Sequence, residues 1–302
     1  MKPSWQPTLF KMYKVLVTGS TGQLGSEINL LSSEYPYQFV FTTRDELDIT
    51  NSAHLVSFIK ESGINAIINC AAYTAVDKAE TDSETASNVN YLAVKHLAQV
   101  AKDLKLKMIH ISTDYVFDGN GHRPYLESDE CKPSNIYGKT KLKGENALNE
   151  TELPNSMVIR TSWVYSGFGN NFVKTMRRLG GEREGVKVVG DQAGSPTYAR
   201  DLARCILDLL PQIENTKTET YHYSNEGICS WYDFALAIME FSKLDCLVLP
   251  IPSSQYPTPA SRPFYSVMSK EKIKADYQLQ IPHWRTSLQN CIGEMDQKNL
   301  LF

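Results

Sequence analysis

The chain has 302 residues, 42% of them hydrophobic and 22% charged, with a formal net charge of −3. That composition suits a globular protein large enough to bury a substantial core, and its slightly acidic balance gives no electrostatic basis for nucleic acid or an anionic membrane as a partner. No apolar run approaches the ~20 residues of a membrane span.

The six cysteines are scattered without metal-type spacing, which points to a reducing, cytoplasmic setting. Residues 1–11 carry Pro3 and Pro7 and no continuous apolar stretch, so they read as an upstream or disordered extension and not as a secretory signal. From Tyr13 to about Arg160, short apolar runs alternate with amphipathic ones. Strands are expected at Lys14–Thr18, Gln38–Thr42, Ala66–Cys70, Lys107–Ser112 and Met157–Arg160. Helices are expected at Gln23–Leu31, Ser52–Glu61, Glu84–Leu104 and Asn135–Leu148. This alternation predicts α/β architecture, a Rossmann-like doubly wound parallel sheet with helices on both faces.

Beyond Arg160 the rhythm loosens. Gly180, Gly181, Gly185 and Gly190 punctuate the chain before an expected helix at Ala199–Leu210. A short strand follows at Thr220–Tyr223, then a helix capped by Ser230 and running to about Phe241. The proline-rich stretch from Pro250 to Pro259 is incompatible with regular helix. The expected division is a nucleotide domain of residues 12–164 plus about 183–214, a smaller α/β substrate lobe of about 165–182 plus 215–293, and a tail from 294 to 302.

Lys14–Thr18 runs into Gly19-Ser-Thr-Gly22-Gln-Leu-Gly25, a G-x-x-G-x-x-G turn between strand and helix. Glycines there permit a tight turn, approach of a diphosphate to the backbone, and close helix–strand packing. The expected cofactor contacts in this turn are Gly19, Thr21, Gly22, Gln23, Leu24 and Gly25, with the helix N-terminus facing the phosphates. After the second strand, Arg44 stands where an NAD-preferring site usually has an acid, with Asp48 and Ile49 beyond it. Arg44 suits the 2′-phosphate of NADPH, although an exposed loop arginine would look the same and NADH stays open.

Tyr137 and Lys141 are four residues apart, on one face of an expected helix. An ammonium beside a phenol favours the phenolate, so the pair is expected to lower the tyrosine pKa and make a usable acid–base group. Thr113, following the fourth strand, supplies a hydroxyl at the end of the sheet where such folds bind ligands. Thr113, Tyr137 and Lys141 form the expected catalytic set.

Several stretches in order resemble the dTDP-4-dehydrorhamnose reductases of the extended short-chain dehydrogenase/reductase group. They are Gly19–Gly25, Asn69–Glu80, Ser112–Gly119, Tyr137–Lys141, Arg160–Tyr165, Gly169–Phe172, Asp191–Thr197, Ser230–Asp233 and Arg262–Ser266. The resemblance implies NADPH-dependent reduction of the 4-keto group of dTDP-4-dehydro-L-rhamnose, a nucleotide-sugar. It places Ala71, Ala72 and Thr74 along the cofactor. It places Tyr115, Val116 and Trp163 around the sugar, and Asn171 and Arg262 toward the nucleotide-diphosphate end. A homodimer is compatible with it. Tyr265 and Met268 depart from the family, where asparagine and leucine are usual.

Some family members have been associated with a divalent metal at a carboxylate-bearing dimer contact. Glu27 would suit such a site, but Arg200 stands where an acid is expected, so no metal is expected here. Two other functions compete. A nucleotide-sugar dehydratase or epimerase shares the superfamily, but the dehydratases place an Asp-Glu pair after the threonine, and this chain has Asp114-Tyr115. A non-catalytic regulatory subunit like the β subunit of methionine adenosyltransferase shares the fold.

Overall fold

A computed structural model describes residues 13–297. The expected N-terminal extension, residues 1–11, lies outside them. Six parallel strands form the central sheet: β1 (Lys14–Thr18), β2 (Gln38–Thr42), β3 (Ala66–Asn69), β4 (Lys107–Thr113), β5 (Ser156–Thr161) and β6 (Glu219–His222). Their spatial order is β2-β1-β3-β4-β5-β6. The chain leaves β1 toward β2 and then returns across it to β3, which puts the topological switch point, where such sheets bind ligands, between β1 and β3.

Each inner strand alternates its side chains between two apolar layers. Val15, Val17, Ile68 and Ile109 pack with helices α1 (Gln23–Leu31) and α5 (Ala199–Leu209), through Leu24, Ile28, Leu202 and Ile206. Leu16, Ile67, Met108 and Val158 face the other way. They meet α2 (Ser52–Ser62), α3 (Ala93–Asp103) and α4 (Ile136–Thr151) through Leu55, Ile59, Leu97 and Leu148. Burial on both faces is why these strands read as nearly unbroken apolar runs.

A second lobe has its own core. Gly185–Val189 pairs in parallel with Leu247–Ile251. Helices Phe172–Glu182, Trp231–Ser242 and Trp284–Gln297 pack with this pair through Val173, Val186, Phe234, Val248 and Leu288. Ser230 and Asp233 close a full capping box at the start of the middle helix.

Several boundaries differ from the sequence reading. The expected helix Glu84–Leu104 is three pieces: Ser83–Ser87, a π turn at Asn88–Leu92, and α3. The π turn brings the Asn90 carbonyl so close to α4 that a Cβ on Gly144 would meet it at 2.2 Å. Gly180 and Gly181 lie inside the helix Phe172–Glu182; at Gly180 a Cβ would meet Met239 Sδ at 2.5 Å, so glycine there lets Met239 pack on the helix. Of residues 183–214, assigned to the nucleotide domain, Gly185–Val189 belongs to the second lobe, while the later helix and the Leu210 and Ile213 that follow it pack on the sheet. Of residues 215–293, β6 completes the central sheet and Ile273 joins its core. The last helix passes the expected tail boundary at 294 and buries Met295.

Candidate active site

The C-terminal ends of β1, β3 and β4 open into a cleft of about 860 Å³. At its floor Gly19 has φ +65°, and a Cβ on Gly25 would meet the Gly19 carbonyl oxygen at 2.5 Å. The turn therefore requires glycine at both places. Gly22 caps α1 without a side-chain acceptor, so the first-turn N–H groups face the cleft. These features fit a dinucleotide diphosphate.

Every residue expected at the cofactor lines this cleft: Gly19, Thr21, Gly22, Gln23, Leu24 and Gly25 at the turn, Arg44, Asp48 and Ile49 beyond β2, and Ala71, Ala72 and Thr74 beyond β3. Gln23 also has a second task. Its amide donates to Val164 O at 3.3 Å and accepts from Asn171 Nδ2 at 2.9 Å, tying the turn to the segment that enters the second lobe.

Thr113, Tyr137 and Lys141 meet in the same cleft. Asn135 caps α4 by accepting from Gly138 N at 2.8 Å. A Cβ on Gly138 would meet Tyr115 O at 2.2 Å, so glycine lets the helix start lie directly on the β4 terminus. This contact brings Tyr137 into the cleft with Thr113 and sets its ring edge-on to Tyr115, 5.6 Å between centroids.

The electrostatics differ from the sequence expectation. Burial pushes the Tyr137 phenol up to about 12; the nearby Thr113 hydroxyl opposes the rise and the Asp114 charge adds to it. The expected depression by Lys141 is not what this geometry produces. Lys141 Nζ instead donates to Ile111 O at 2.6 Å and lies 3.3 Å from His110 Nε2. Burial lowers Lys141 to about 8, with the Glu145 charge foremost among the groups pulling the other way.

Thr113 Oγ1 donates to Asp114 Oδ1 at 2.9 Å and accepts from Tyr115 N at 3.2 Å. Asp114 is a functional candidate that the sequence reading left without a role. Burial raises its carboxyl to about 7 against the hydrogen bonds from Thr113 and Ser266, and its Oδ2 has no partner among the described residues. Its position beside Thr113 at a strand end was the available signal.

Of the residues expected around the sugar, Tyr115 and Trp163 line the cleft. Trp163 has φ +49° and stacks on Trp231 with 3.6 Å between centroids. Gly194 backs this ring, where a Cβ would meet the indole at 2.6 Å. Three expected substrate residues lie elsewhere. Val116 is fully buried with Phe117, Tyr125 and Met268, because the short 3-10 turn Asp114–Val116 rotates it inward. Asn171 caps the helix Phe172–Glu182, accepting from Lys174 N at 3.1 Å and donating to Ser166 O at 2.7 Å; it is Asn170 that reaches the cleft. Arg262 is paired with Asp77 at 2.7 Å, outside the cleft lining, and its buried Nη1 has no partner among the described residues.

At the middle of α1, Arg200 Nε donates to the fully buried Glu27 at 2.8 Å, and its Nη1 donates to Glu294. Ser166 Oγ takes the other Glu27 oxygen at 2.6 Å. A guanidinium fixed between two carboxylates does not suit a divalent cation at this place. Tyr265 packs near Tyr125, 6.2 Å between ring centroids, and Met268 is in the core.

Comparison with known proteins is consistent along nearly the whole chain. The model of the family described as RmlD substrate binding domain matches residues 13–297. A dTDP-4-dehydrorhamnose reductase of Aggregatibacter actinomycetemcomitans is 39% identical, over 92% of this chain and 98% of its own. The spore coat polysaccharide biosynthesis protein SpsK of Bacillus subtilis is 38% identical, over 94% of this chain and 98% of its own. Among solved structures, the dTDP-4-dehydrorhamnose reductase of Bacillus anthracis in complex with NADP aligns with a TM-score of 0.90 at 37% identity, covering 94% of this chain and 99% of that one.

Proposed function

The chain belongs to the RmlD substrate binding domain family, and we infer from that premise that it is a dTDP-4-dehydrorhamnose reductase. It is an NADPH-dependent oxidoreductase that reduces the 4-keto group of dTDP-4-dehydro-L-rhamnose to give dTDP-L-rhamnose. The observation that carries the reading is the meeting of Thr113, Tyr137 and Lys141 in the cleft that begins at the glycine turn.

NADPH held along that turn supplies a hydride to sugar C4. The protein's own groups manage the oxygen. As the C4–H bond forms, the carbonyl π pair moves onto oxygen. The Tyr137 O–H bond breaks, its proton goes to that oxygen, and the phenolate regains a proton from solvent. A phenol at about 12 is protonated throughout the neutral range and so enters the reaction as the acid. For Thr113 to donate to the same oxygen, its hydroxyl turns away from Asp114. Tyr115 and Trp163 bound the sugar, and Arg44 faces the 2′-phosphate. Residues around the sheet form the cofactor lobe and the second core forms the substrate lobe.

Among the described residues no helix is long and apolar enough to cross a membrane. The reading places the protein in the cytoplasm and accommodates a homodimer, which sedimentation of the purified protein tests. The activity is tested by mixing protein, NADPH and dTDP-4-dehydro-L-rhamnose and following reduced-nicotinamide absorbance and product. Stoichiometric oxidation with formation of dTDP-L-rhamnose is expected. No oxidation at ordinary enzyme concentration, together with binding to a partner protein, would replace the enzyme with a regulatory subunit.

A further inference from the structure

Behind Lys141 runs a buried polar string that the reaction described above does not use. His110 interrupts the apolar middle of β4, between Ile109 and Ile111, and is fully buried. Its Nε2 lies 3.3 Å from Lys141 Nζ, and its Nδ1 lies 3.0 Å from Asn69 Nδ2. Asn69 Oδ1 in turn accepts from Thr18 Oγ1 at 2.6 Å. From Lys141 on α4 the string crosses three neighbouring strands, through His110 on β4 and Asn69 on β3 to Thr18, the last residue of β1, immediately before Gly19.

Counting protons constrains what this string can do. A neutral imidazole has one N–H and one lone pair. With Asn69 Nδ2 donating into Nδ1, the ring proton sits on Nε2 and points at Lys141, which must then offer the lone pair of a neutral amine. When Lys141 is an ammonium, Nε2 must accept. The ring proton then sits on Nδ1, and the Asn69 amide turns to present its oxygen to the ring and its NH₂ to Thr18 Oγ1. Each charge state of the lysine thus sets one ring tautomer and one orientation of the Asn69 amide. A doubly protonated ring fits neither, and burial together with the Lys141 charge holds His110 well below its ordinary value.

We propose that His110 is a positioning residue for Lys141, holding the lysine nitrogen in one place in both of its charge states by exchanging ring tautomers. This rests on the assignment of Lys141 to the catalytic set. The groups facing the lysine nitrogen are Cys70 from the end of β3, His110 and the Ile111 carbonyl from β4, and Glu145 from α4. Glu145 is engaged by Arg160 at 2.7 Å and by Ser112, and Cys70 is pushed up to about 12 by burial, so it is a neutral thiol where the lysine titrates. His110 is therefore the neighbour whose hydrogen-bonding capacity can reverse.

The test is the pH dependence of kcat, at saturating NADPH and nucleotide-sugar, for wild type, His110→Leu and His110→Gln, with a melting curve for each. Leucine deprives the buried ammonium of an acceptor, which costs the charged form more than the neutral one. The alkaline limb should therefore move to lower pH by about one unit, about tenfold in the ionisation constant. Glutamine keeps an accepting oxygen and should recover most of that shift, with KM for both substrates within about twofold of wild type. Variants that melt lower yet keep the wild-type profile would reduce His110 to a core residue and overturn the proposal.

A second readout does not depend on turnover or on the leucine variant folding. In ¹⁵N-histidine spectra of the wild-type protein, the His110 proton should sit on Nδ1 at about pH 6.5 and on Nε2 at about pH 9.5, without passing through the doubly protonated ring. A ring with one tautomer throughout would overturn the proposal. Lys141→Met separates the two levels. Wild-type turnover in that variant would remove Lys141 from the catalytic set, whereas the tautomer exchange in the wild-type protein would still decide whether His110 follows the lysine.

Discussion

The two ends of the cleft are built by different means. The cofactor end is made of backbone: a left-handed Gly19, a Gly25 pressed against it, and the bare first turn of α1. The end proposed for the sugar is made of side chains delivered from distant parts of the chain, with Trp163 stacked on Trp231 and Tyr137 brought into the cleft with Thr113 by a helix that rests on Tyr115. Backbone construction needs particular small residues at fixed spacing, so it leaves a signature in the sequence. Side-chain construction depends on which neighbour arrives first. A residue with suitable chemistry is then free to be used for capping or for an ion pair instead.

The sharpest way to break this contrast is Tyr137→Phe, which keeps the ring and removes the transferable proton. Turnover should fall by roughly 10²–10⁴-fold while NADPH affinity, read by fluorescence titration, stays within about twofold. Near-normal turnover would mean that the proton comes from another group. At the other end, Gly25→Ala adds a Cβ that meets a backbone oxygen at 2.5 Å. The turn must open, and an overpacking strain of about 1–3 kcal/mol should appear as weaker NADPH binding. A wild-type dissociation constant would show that the turn yields without touching the phosphates.

Smaller effects sharpen the picture. Arg44 is exposed, so its pairing with a 2′-phosphate is worth up to about 1 kcal/mol. Arg44→Ala should weaken NADPH by about fivefold and leave NADH unchanged, and an unaltered ratio of the two constants would detach Arg44 from the phosphate. Asn171→Ala should cost about 1 kcal/mol of stability through the lost helix cap, with KM for the nucleotide-sugar held within about twofold. A large rise in KM without a drop in melting temperature would return Asn171 to the substrate.

The same contrast explains how much could be read in advance. β1, β2 and α1 have the bounds their apolar periodicity predicts, because doubly buried strands and an amphipathic helix are local patterns. The doubly wound parallel sheet follows from their alternation. What escaped depends on contacts remote in sequence. The π turn at Asn88–Leu92 exists where α4 comes close, and the helix runs on through Gly180, where Met239 packs on it. Val116 matches a family motif as a letter, but only the turn of the folded chain decides that it points into the core. Lys141 was on the correct helix face. Its neighbours on β4 and β3, invisible in the local pattern, decide that its nitrogen turns toward His110 and not onto the phenol.

Trp163 and Trp231 carry one last consequence. Stacked 3.6 Å apart at the cleft wall, they make an optical reporter that needs no label. Indole emission overlaps the absorption of reduced nicotinamide, so binding of NADPH should quench this pair by energy transfer. A sugar pressed against Trp163 should shift its emission colour instead. Arrival of each reactant would then be visible separately in a stopped-flow trace, using the protein's own light.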